Sequence, residues 1–385
     1  MMSRIETRLF VLAAVLLPSF ASFAGYRWSK SESIAYGVTA FKCETQDPRP
    51  MRINVVKVDL RTPNLAFTGT GRAAEKEYGK PLAEAKTLYN QKNEKVEPAE
   101  VRVHRQPTAA FFAKSAASVD RGGRGLDMLV AFNSVPTRPP YSGDYADPRG
   151  LVISDGIVVA DHPRGRSPMF VVRRNGVVEI AESLVSTEYP DIVVAHTGQS
   201  WVRRGGKNVV PPERVTPAAR LGLGLSADRR TLYIVSVDNG VSIERGTGAT
   251  VQEMNDIFED LGAADAMLTD SASSNSIVVK DREKGFRILN RFESAGEPKA
   301  AFASVGLYLA DRKALAAAAA GCQFERMGFG TGAPMAGFVA PKLKHIRVGL
   351  VGTGSRGTYA FKRLALFPNV EVTAICDVSE AMFKD

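Results

Sequence analysis

A series of short apolar runs separated by turn residues is the feature that most constrains what this chain can fold into. The runs are rich in β-branched residues and lie at 51–60, 65–71, 128–133, 150–159, 169–180, 191–198, 220–226, 231–240 and 266–279. Runs of this length, bounded by glycine, asparagine and aspartate, predict strands. Asp155-Gly156 and Asn175-Gly176 fall inside two of the runs and predict hairpin turns.

Helical patterns are rarer than strand patterns in this chain. Residues 250–263 have apolar residues at helical spacing, a capping box formed by Thr250 and Glu253, and a terminating Gly262. A short surface helix is also predicted over 81–91. The fold class that follows is α+β, a strand-rich domain with one main helix.

The N-terminus resembles a leader for export. An apolar stretch at 9–20 follows two arginines and precedes small residues at Ser22 and Ala24, a pattern that predicts a cleaved secretory signal over 1–24. The stretch is shorter than the roughly 20 residues that span a bilayer, although an uncleaved anchor is the alternative. We therefore expect a secreted or periplasmic protein with no membrane span after cleavage. An oxidising compartment permits a Cys43–Cys322 disulfide, and unpaired buried thiols are the alternative.

Charge and histidine usage argue against two classes of function. The net charge is +9, but the basic residues are scattered along the chain and few aromatic residues lie among them, so no nucleic-acid surface is predicted. The four histidines have no metal-ligand spacing, so no metal site is predicted.

The domain boundaries follow from composition. A main domain is expected over 25–327, a linker rich in glycine, alanine and proline over 328–344, and a partial nucleotide-binding unit over 345–385.

Several stretches of the main domain, taken in order, resemble the phosphodiester glycosidase family. They are RINVVKVDLRTPNLAFTGT (52–70), MLVAFNSV (128–135), GLVISDG (150–156), RLGLGLSADRRTLYIVSVDNG (220–240), LGAADAML (261–268) and NRFESAGEPKA (290–300). The resemblance covers about 51–308. It implies a secreted or lumenal enzyme that removes an α-linked N-acetylglucosamine from a phosphodiester.

Cleavage of a sugar–phosphate acetal needs cationic groups or donors at the phosphate and carboxylates at the sugar. Arg220 is the candidate phosphate ligand, because a guanidinium matches two phosphate oxygens, and a buried ion pair is its alternative role. Asp238 and Asp270 each end an apolar strand and are the catalytic candidates, although Asp238 is also typical of a turn. Asn133 ends a third strand and is a candidate for sugar binding or for capping that strand.

The segment DSASSNS, residues 270–276, departs from the family pattern Asp-Gly-Gly-Gly-Ser-Ser-Thr. Asp270 and the candidate substrate ligand Ser274 are retained, whereas three glycines are replaced by Ser271, Ala272 and Ser273. Side chains here narrow a cleft or change the turn, because glycine permits close backbone approach. A non-catalytic glycan-binding module is therefore the alternative to a hydrolase. His196 is a further substrate-binding candidate, or a structural histidine.

The C-terminal segment reads as strand, glycine-rich turn, helix and strand. Gly352, Gly354 and Gly357 fit the G-x-G-x-x-G pattern, and Asp377 stands where a ribose-binding carboxylate belongs. The segment resembles the start of the Gfo/Idh/MocA oxidoreductases, in particular their NAD-dependent glycosidase branch. Because a Rossmann site is built from two such halves, we expect a truncated βαβ unit with no cofactor, and NAD only if a full Rossmann domain follows.

Overall fold

The computed structural model describes residues 25–82, 88–89, 95–96, 99–138, 143–162, 167–182, 184–238, 248–270, 274–290, 300–310, 346–351 and 370–376. The predicted signal at 1–24 and the predicted linker at 328–344 lie outside these ranges. The chain divides into two compact units, Met1–Arg312 and Lys313–Asp385.

The described residues are strand-rich. In chain order the first strands are β1 (Glu32–Ala35), β2 (Val38–Thr45), β3 (Met51–Asp59), β4 (Leu65–Gly69), β5 (Leu88–Tyr89), β6 (Lys95–Val96), β7 (Val103–His104), β8 (Asp127–Asn133), β9 (Tyr145–Ala146), β10 (Leu151–Ser154), β11 (Ile157–Asp161) and β12 (Met169–Arg173). The others are β13 (Val178–Ala181), β14 (Ile192–Thr197), β15 (Ser200–Arg204), β16 (Lys207–Asn208), β17 (Arg220–Ser226), β18 (Thr231–Val237), β19 (Ala263–Asp270), β20 (Ile277–Asp281), β21 (Gly285–Ile288), β22 (Ser304–Leu309), β23 (Ile346–Val351) and β24 (Val370–Cys376). Two α-helices are described, α1 (Thr108–Ala116) and α2 (Val251–Asp260).

Three large antiparallel sheets and two short strand pairs, β5-β6 and β7-β9, are described in the first unit. The large sheet has the strand order β1-β2-β3-β18-β17-β19-β15-β16, the β14 sheet has the order β11-β10-β14-β12-β13, and the β8 sheet has the order β21-β20-β8-β22-β4. One face of each sheet contributes to a shared inner core. Leu221, Leu223 and Leu225 enter it from β17, Phe132 from β8 and Phe170 from β12. This core joins the three sheets.

The opposite face of the large sheet is covered by α2. Met254, Ile257 and Phe258 of α2 are fully buried there. A Cβ added to Gly224 would stand 2.6 Å from Phe258, and one added to Gly222 would stand 2.8 Å from the Met267 carbonyl oxygen. Leucine and glycine therefore alternate along β17 because its two faces pack against different neighbours. Leucines fill the inner core, and glycines let α2 approach the sheet.

Replacing Gly224 with alanine is expected to lower the free energy of unfolding by about 1–3 kcal/mol, because the added methyl group overpacks the site against Phe258. Urea unfolding measures the change. Gly71→Ala is the matched control, since a Cβ there meets nothing within 4 Å. Equal stability of the two variants would mean that α2 shifts to accept the methyl group.

Most of the predicted elements are found. The helix predicted at 250–263 is α2, and its capping box is present, with the Thr250 hydroxyl accepting from the Glu253 amide at 3.1 Å. In the Asp155-Gly156 turn both residues have positive φ, 52° and 79°, as a two-residue hairpin requires.

One helix prediction is wrong, and one helix of the structure was not predicted. Within 81–91, residues Leu88–Tyr89 form β5 instead of a helix and pair with β6. The second helix, α1, was not predicted, and it packs Phe111 and Phe112 on the outer face of the β8 sheet.

In the second unit, the described residues form one pair of parallel strands, β23 and β24. A parallel pair needs a crossover connection, as the predicted βαβ pattern has. Gly352, Gly354, Gly357 and Asp377 lie outside the described residues.

Candidate functional site

The central strands of the large sheet bring both candidate acids to one edge. Arg220, at the start of β17, pairs with Val237 at the end of β18, and Leu221 pairs with Asp270 at the end of β19. Asp238 follows Val237 directly. The two acids therefore lie on the strands that flank β17, at the same edge of the sheet.

Thr269 links this edge to the β8 sheet. Its side-chain hydroxyl is buried, lies 3.2 Å from the Leu221 carbonyl oxygen and 3.5 Å from that of Asn133, and can donate to either. The end of β8 therefore lies against the end of β19, and the predicted residue Asn133 stands beside the edge that carries the acids.

Asn133 holds the segment that follows the Asp270 turn. It is 1 % exposed, and its side-chain oxygen accepts a hydrogen bond from the Ser276 amide at 2.8 Å. Asn290 holds the same segment from the other side by accepting from the Ile277 amide at 2.9 Å. The candidate ligand Ser274 is buried in this segment. The structure thus places Asn133 and Ser274 together.

Sequence reasoning missed Asn275. Its side chain is 3 % exposed, and neither its amide nitrogen nor its amide oxygen has a hydrogen-bond partner among the described residues. The hydroxyl of Ser276 is buried and unpartnered in the same sense. Unpaired buried polar atoms are costly, so such a group next to an edge with candidate acids indicates a place for water or ligand. Its sequence signal is the polar run after Asp270.

Asp238 is a buried carboxylate with a cation beside it. It is 2 % exposed, accepts from the Asn54 side chain at 3.1 Å and lies 3.4 Å from Nε of Arg52. A buried carboxylate and a guanidinium therefore lie side by side at the end of β18. For Asp270 the structure gives the backbone position.

Arg220 lies on the other face of the large sheet. In an antiparallel pair, directly opposite residues share a face, so Arg220 lies with Val237 on the α2 side, whereas the next residue, Asp238, is on the inner side. Arg220 donates to the carbonyl oxygens of Ala249 and Thr216, at 3.1 and 3.0 Å. Arg220, the predicted phosphate ligand, and Asp238, a predicted catalytic acid, thus lie on opposite faces of the large sheet.

The surroundings of Arg220 are those of a desolvated cation. Burial lowers its pKa below the ordinary value, and the nearby Arg214 lowers that pKa further. Within the described ranges, no carboxylate lies at ion-pair distance from Arg220. The alternative role of Arg220 as half of a buried ion pair is therefore not seen among these residues.

His196 lies inside the protein, at the junction of two sheets. It is fully buried, with Nδ1 at 2.5 Å from the Ser134 hydroxyl and Nε2 at 3.3 Å from the Ser154 hydroxyl. Burial lowers its pKa to about 3, so the ring is neutral near pH 7. His196 therefore positions Ser134, the residue after Asn133, and has no solvent-facing surface of its own.

The free energy of unfolding is expected to fall as the pH drops from 6.5 towards 3. The unfolded chain protonates this ring near its ordinary pKa of 6.5, whereas the buried ring resists protonation until about pH 3. Because folding lowers the pKa of His196, the neutral ring contributes stability that is fully present above pH 6.5 and is lost as the pH falls towards 3. The free energy of unfolding changes by up to about 1.4 kcal/mol per pH unit in this range. Urea unfolding at several pH values measures it. His196→Gln should flatten the slope and His104→Gln should not. Parallel curves for all three proteins would contradict the prediction.

Three further predictions concern cysteine pairing, metal binding and membrane spans. Cys43 is buried and has a free thiol, so the structure does not contain the Cys43–Cys322 disulfide. Cys322 itself lies outside the described residues. Burial raises the pKa of the Cys43 thiol. In the part of the chain that the structure describes, no group of histidine, cysteine and acidic residues could hold a metal ion. No helix among the described residues has both the length and the apolar character to cross a bilayer.

Comparison with known proteins gives one family match and one short C-terminal match. The family model described as phosphodiester glycosidase matches residues 128–307, a range that contains all six candidate site residues of the main domain. A stretch of 44 residues is 48 % identical to glycosyl hydrolase family 109 protein 3 of Phocaeicola vulgatus, and it lies at the C-terminal end. This match covers 11 % of the chain and 8 % of that relative.

Two solved structures with similarity to this chain are described by their identity, coverage and TM-score. The catalytic domain of zebrafish N-acetylglucosamine-1-phosphodiester α-N-acetylglucosaminidase, auto-inhibited by its pro-peptide, is 15 % identical with a TM-score of 0.47, covering 75 % of this chain and 89 % of that one. A hypothetical protein from Synechocystis is 12 % identical with a TM-score of 0.46, covering 73 % of this chain and 64 % of that one.

Proposed function

Because residues 128–307 match the phosphodiester glycosidase family model, we propose that the protein is an exported hydrolase that cleaves a sugar-1-phosphodiester, of the N-acetylglucosamine type, in glycans or envelope polymers. The observation that carries the proposal is the placement of Asp238 and Asp270 on the two strands that flank β17, at one sheet edge.

The spacing of the two acids suits glycosidic chemistry. Neighbouring strands lie about 4.8 Å apart, so the backbones of Asp238 and Asp270 stand roughly 10 Å apart across β17. Side chains reaching from such positions span the carboxyl separations that glycosidases use, about 5 to 9.5 Å. Asp238, beside the Arg52 guanidinium, would act as the base or stabilise positive charge at the anomeric carbon. Asp270 would serve as the partner acid.

Arg220 would not hold the phosphate in the same pocket as Asp238, because the two side chains lie on opposite faces of the large sheet. Asn133, by holding the 274–276 segment, would position Ser274 at the sugar. His196 would act through Ser134.

The site of action follows from the N-terminal pattern. The arginines, the apolar stretch and the small residues within 1–24 predict a secretory signal, so the substrate would be in the periplasm or outside the cell. A glycan is the expected partner, with no nucleic acid and no metal or nicotinamide cofactor.

Release of the leaving group from a chromogenic N-acetylglucosaminyl phosphodiester tests the proposal. Turnover of this compound, with at least tenfold slower release from the matching N-acetylglucosaminide that lacks the phosphate, is the expected result. Equal rates on the two compounds would show that the phosphate is not recognised. No release from either compound would refute the hydrolase.

A glycan-binding module without turnover is the second candidate, and the replacement of three family glycines by Ser271, Ala272 and Ser273 favours it. Retained binding of the uncleaved phosphodiester, measured by calorimetry, together with no release, would establish it. The third candidate is an NAD-dependent glycosidase or oxidoreductase built on the C-terminal segment, and the short family 109 match favours it. Micromolar binding of NAD by this chain would support that candidate.

A further inference from the structure

The segment 25–30, which follows the predicted signal, is docked on β2 and on the end of α2. The Ser29 amide donates to the Lys42 carbonyl oxygen of β2 at 2.7 Å, and the Lys42 amide donates to the Ser29 hydroxyl at 3.0 Å. Nε1 of Trp28 donates to Oδ2 of Asp260, the last residue of α2, at 2.7 Å. The segment therefore links β2 to the C-terminal end of the helix.

Asp260 is an acid at the wrong end of a helix. The C-terminus of a helix carries partial negative charge, so a carboxylate there is unfavourable unless a cation stands beside it. The last turn of α2 has no basic residue. Its other acid, Glu259, pairs with Arg203 at 3.1 Å. Asp260 has no ion pair among the described residues, and the donor at its carboxylate is the neutral indole of Trp28.

The first described residue, Gly25, lies against this carboxylate. A Cβ on Gly25 would stand 3.0 Å from Oδ1 of Asp260. The backbone nitrogen of Gly25 is bonded to the same Cα, so a free amino group there can turn to the carboxylate. The next residue, Tyr26, lies in a negative field. Burial raises the pKa of its hydroxyl, and three carboxylates of α2 raise that pKa further, those of Asp256, Glu253 and Asp260.

We propose that signal cleavage between Ala24 and Gly25 completes this contact, because the new α-ammonium group of Gly25 pairs with the Asp260 carboxylate and holds the segment on α2. Hydrolysis by a signal peptidase adds one water across the bond, which leaves a carboxyl group on Ala24 and an amino group on Gly25. That amino group is mostly protonated at pH 7. While the bond is intact, the nitrogen is an uncharged amide. The inference rests on the proposed export and adds to it the bond that is cut and the partner of the new terminus.

The Cys43 thiol reports whether the segment is docked. Cys43 is 2 % exposed, and its thiol is hydrogen-bonded to the backbone of Arg27 in the segment. Local opening of the segment uncovers this thiol, so the rate of alkylation by iodoacetamide follows the opening equilibrium. Mass spectrometry of the peptide that contains Cys43 separates this signal from the other two cysteines, Cys322 and Cys376.

Two chains that differ only at the N-terminus test the ion pair. One begins at Gly25, and the other begins at Ser22, which moves the ammonium group three residues away. We expect Cys43 to be alkylated about two- to fivefold faster in the longer chain, the factor that a charge pair at a helix end gives. Asp260→Asn should bring this ratio to about one. Taking the ratio of the two chains within each variant cancels the effect of the Asp260 charge on the thiol itself.

Asp120→Asn is the control for that ratio. Asp120 is an exposed aspartate between α1 and β8, so its replacement should leave the ratio as in the native sequence. Equal alkylation rates in the two chains, or a ratio that Asp260→Asn leaves unchanged, overturns the ion pair.

The N-terminus of the protein made by an exporting bacterium identifies the bond that is cut. Expression of the full chain, followed by mass spectrometry of the N-terminal peptide, should give a chain that begins at Gly25. A chain cut at another bond, or one that keeps residues 1–24, overturns the proposal. Neither readout needs turnover. An inactive protein that passes both refutes the hydrolase alone, and an active exported protein that is cut elsewhere refutes this inference alone.

Discussion

Replacing Asp270 with asparagine is expected to lower kcat on the chromogenic phosphodiester by about 10²–10⁴-fold, with KM changed little. Asparagine keeps the shape of the side chain but can neither give nor take the proton, which is the contribution of a general acid or base. A fall in kcat without a matching rise in KM marks an interaction made only in the transition state. Steady-state rates of the native protein and the variant measure the effect.

Asp228→Asn is the matched control for that experiment. Asp228 is an exposed aspartate in the turn between β17 and β18, at the opposite edge of the same strands. Its replacement should leave kcat within about twofold, since surface changes away from a site have small effects. If Asp270→Asn retains native turnover, the acid at the end of β19 has no role in the chemistry, and the assignment of Asp270 fails.

Asp238→Asn separates a catalytic from a structural role for the second acid. Asparagine cannot balance the charge of Arg52, which is 14 % exposed, so some loss of stability is expected in either case. A catalytic Asp238 also lowers kcat per folded molecule by a factor similar to that of Asp270. A structural Asp238 lowers the folded fraction and leaves kcat per folded molecule unchanged.

The strands could be predicted because their signals are local. Alternating or continuous apolar runs bounded by turn residues mark β8, β12, β14, β17 and β18, and the capping box marks α2. The helix α1 lacks such a signal. Its N-cap is Pro107, no side chain caps it, and its apolar residues include a Phe111-Phe112 pair that equally suits a strand.

Local sequence patterns could not predict which of the candidate residues lie together in the site. The sequence places Arg220, Asp238 and Asp270 at strand ends, and the structure confirms that they share one edge. The sequence does not give the register in which these strands pair. Because side chains alternate between the two faces of a sheet, pairing Arg220 with Val237 instead of Asp238 moves the guanidinium to the α2 face. The unpaired Asn275 depends on packing between sheets in the same way.

A second large effect is expected at Asp147, which sequence reasoning also missed. This carboxylate is fully buried and lies against two basic side chains, with Nε2 of His162 at 2.6 Å and Nη1 of Arg138 at 2.9 Å, and it accepts from the Glu100 amide at 3.2 Å. Asp147→Ala is expected to lower the free energy of unfolding by about 3–5 kcal/mol, because it removes a fully buried carboxylate and breaks its ion pair with Arg138. Urea unfolding at pH 7 measures the change.

Two further variants test whether the loss of stability comes from the charge of Asp147 and whether it is specific to this position. Asp147→Asn keeps the shape and part of the hydrogen bonding, so a smaller loss of about 1–3 kcal/mol is expected. Asp144→Ala, an exposed aspartate three residues away, should stay within about 0.5 kcal/mol of the native protein. Equal losses for Asp147→Ala and Asp144→Ala would mean that the effect is not specific to Asp147 and that the ion cluster adds no stability of its own. Because Arg138 lies five residues beyond Asn133, a stability loss specific to Asp147 would tie this cluster to the chain that leaves the proposed site.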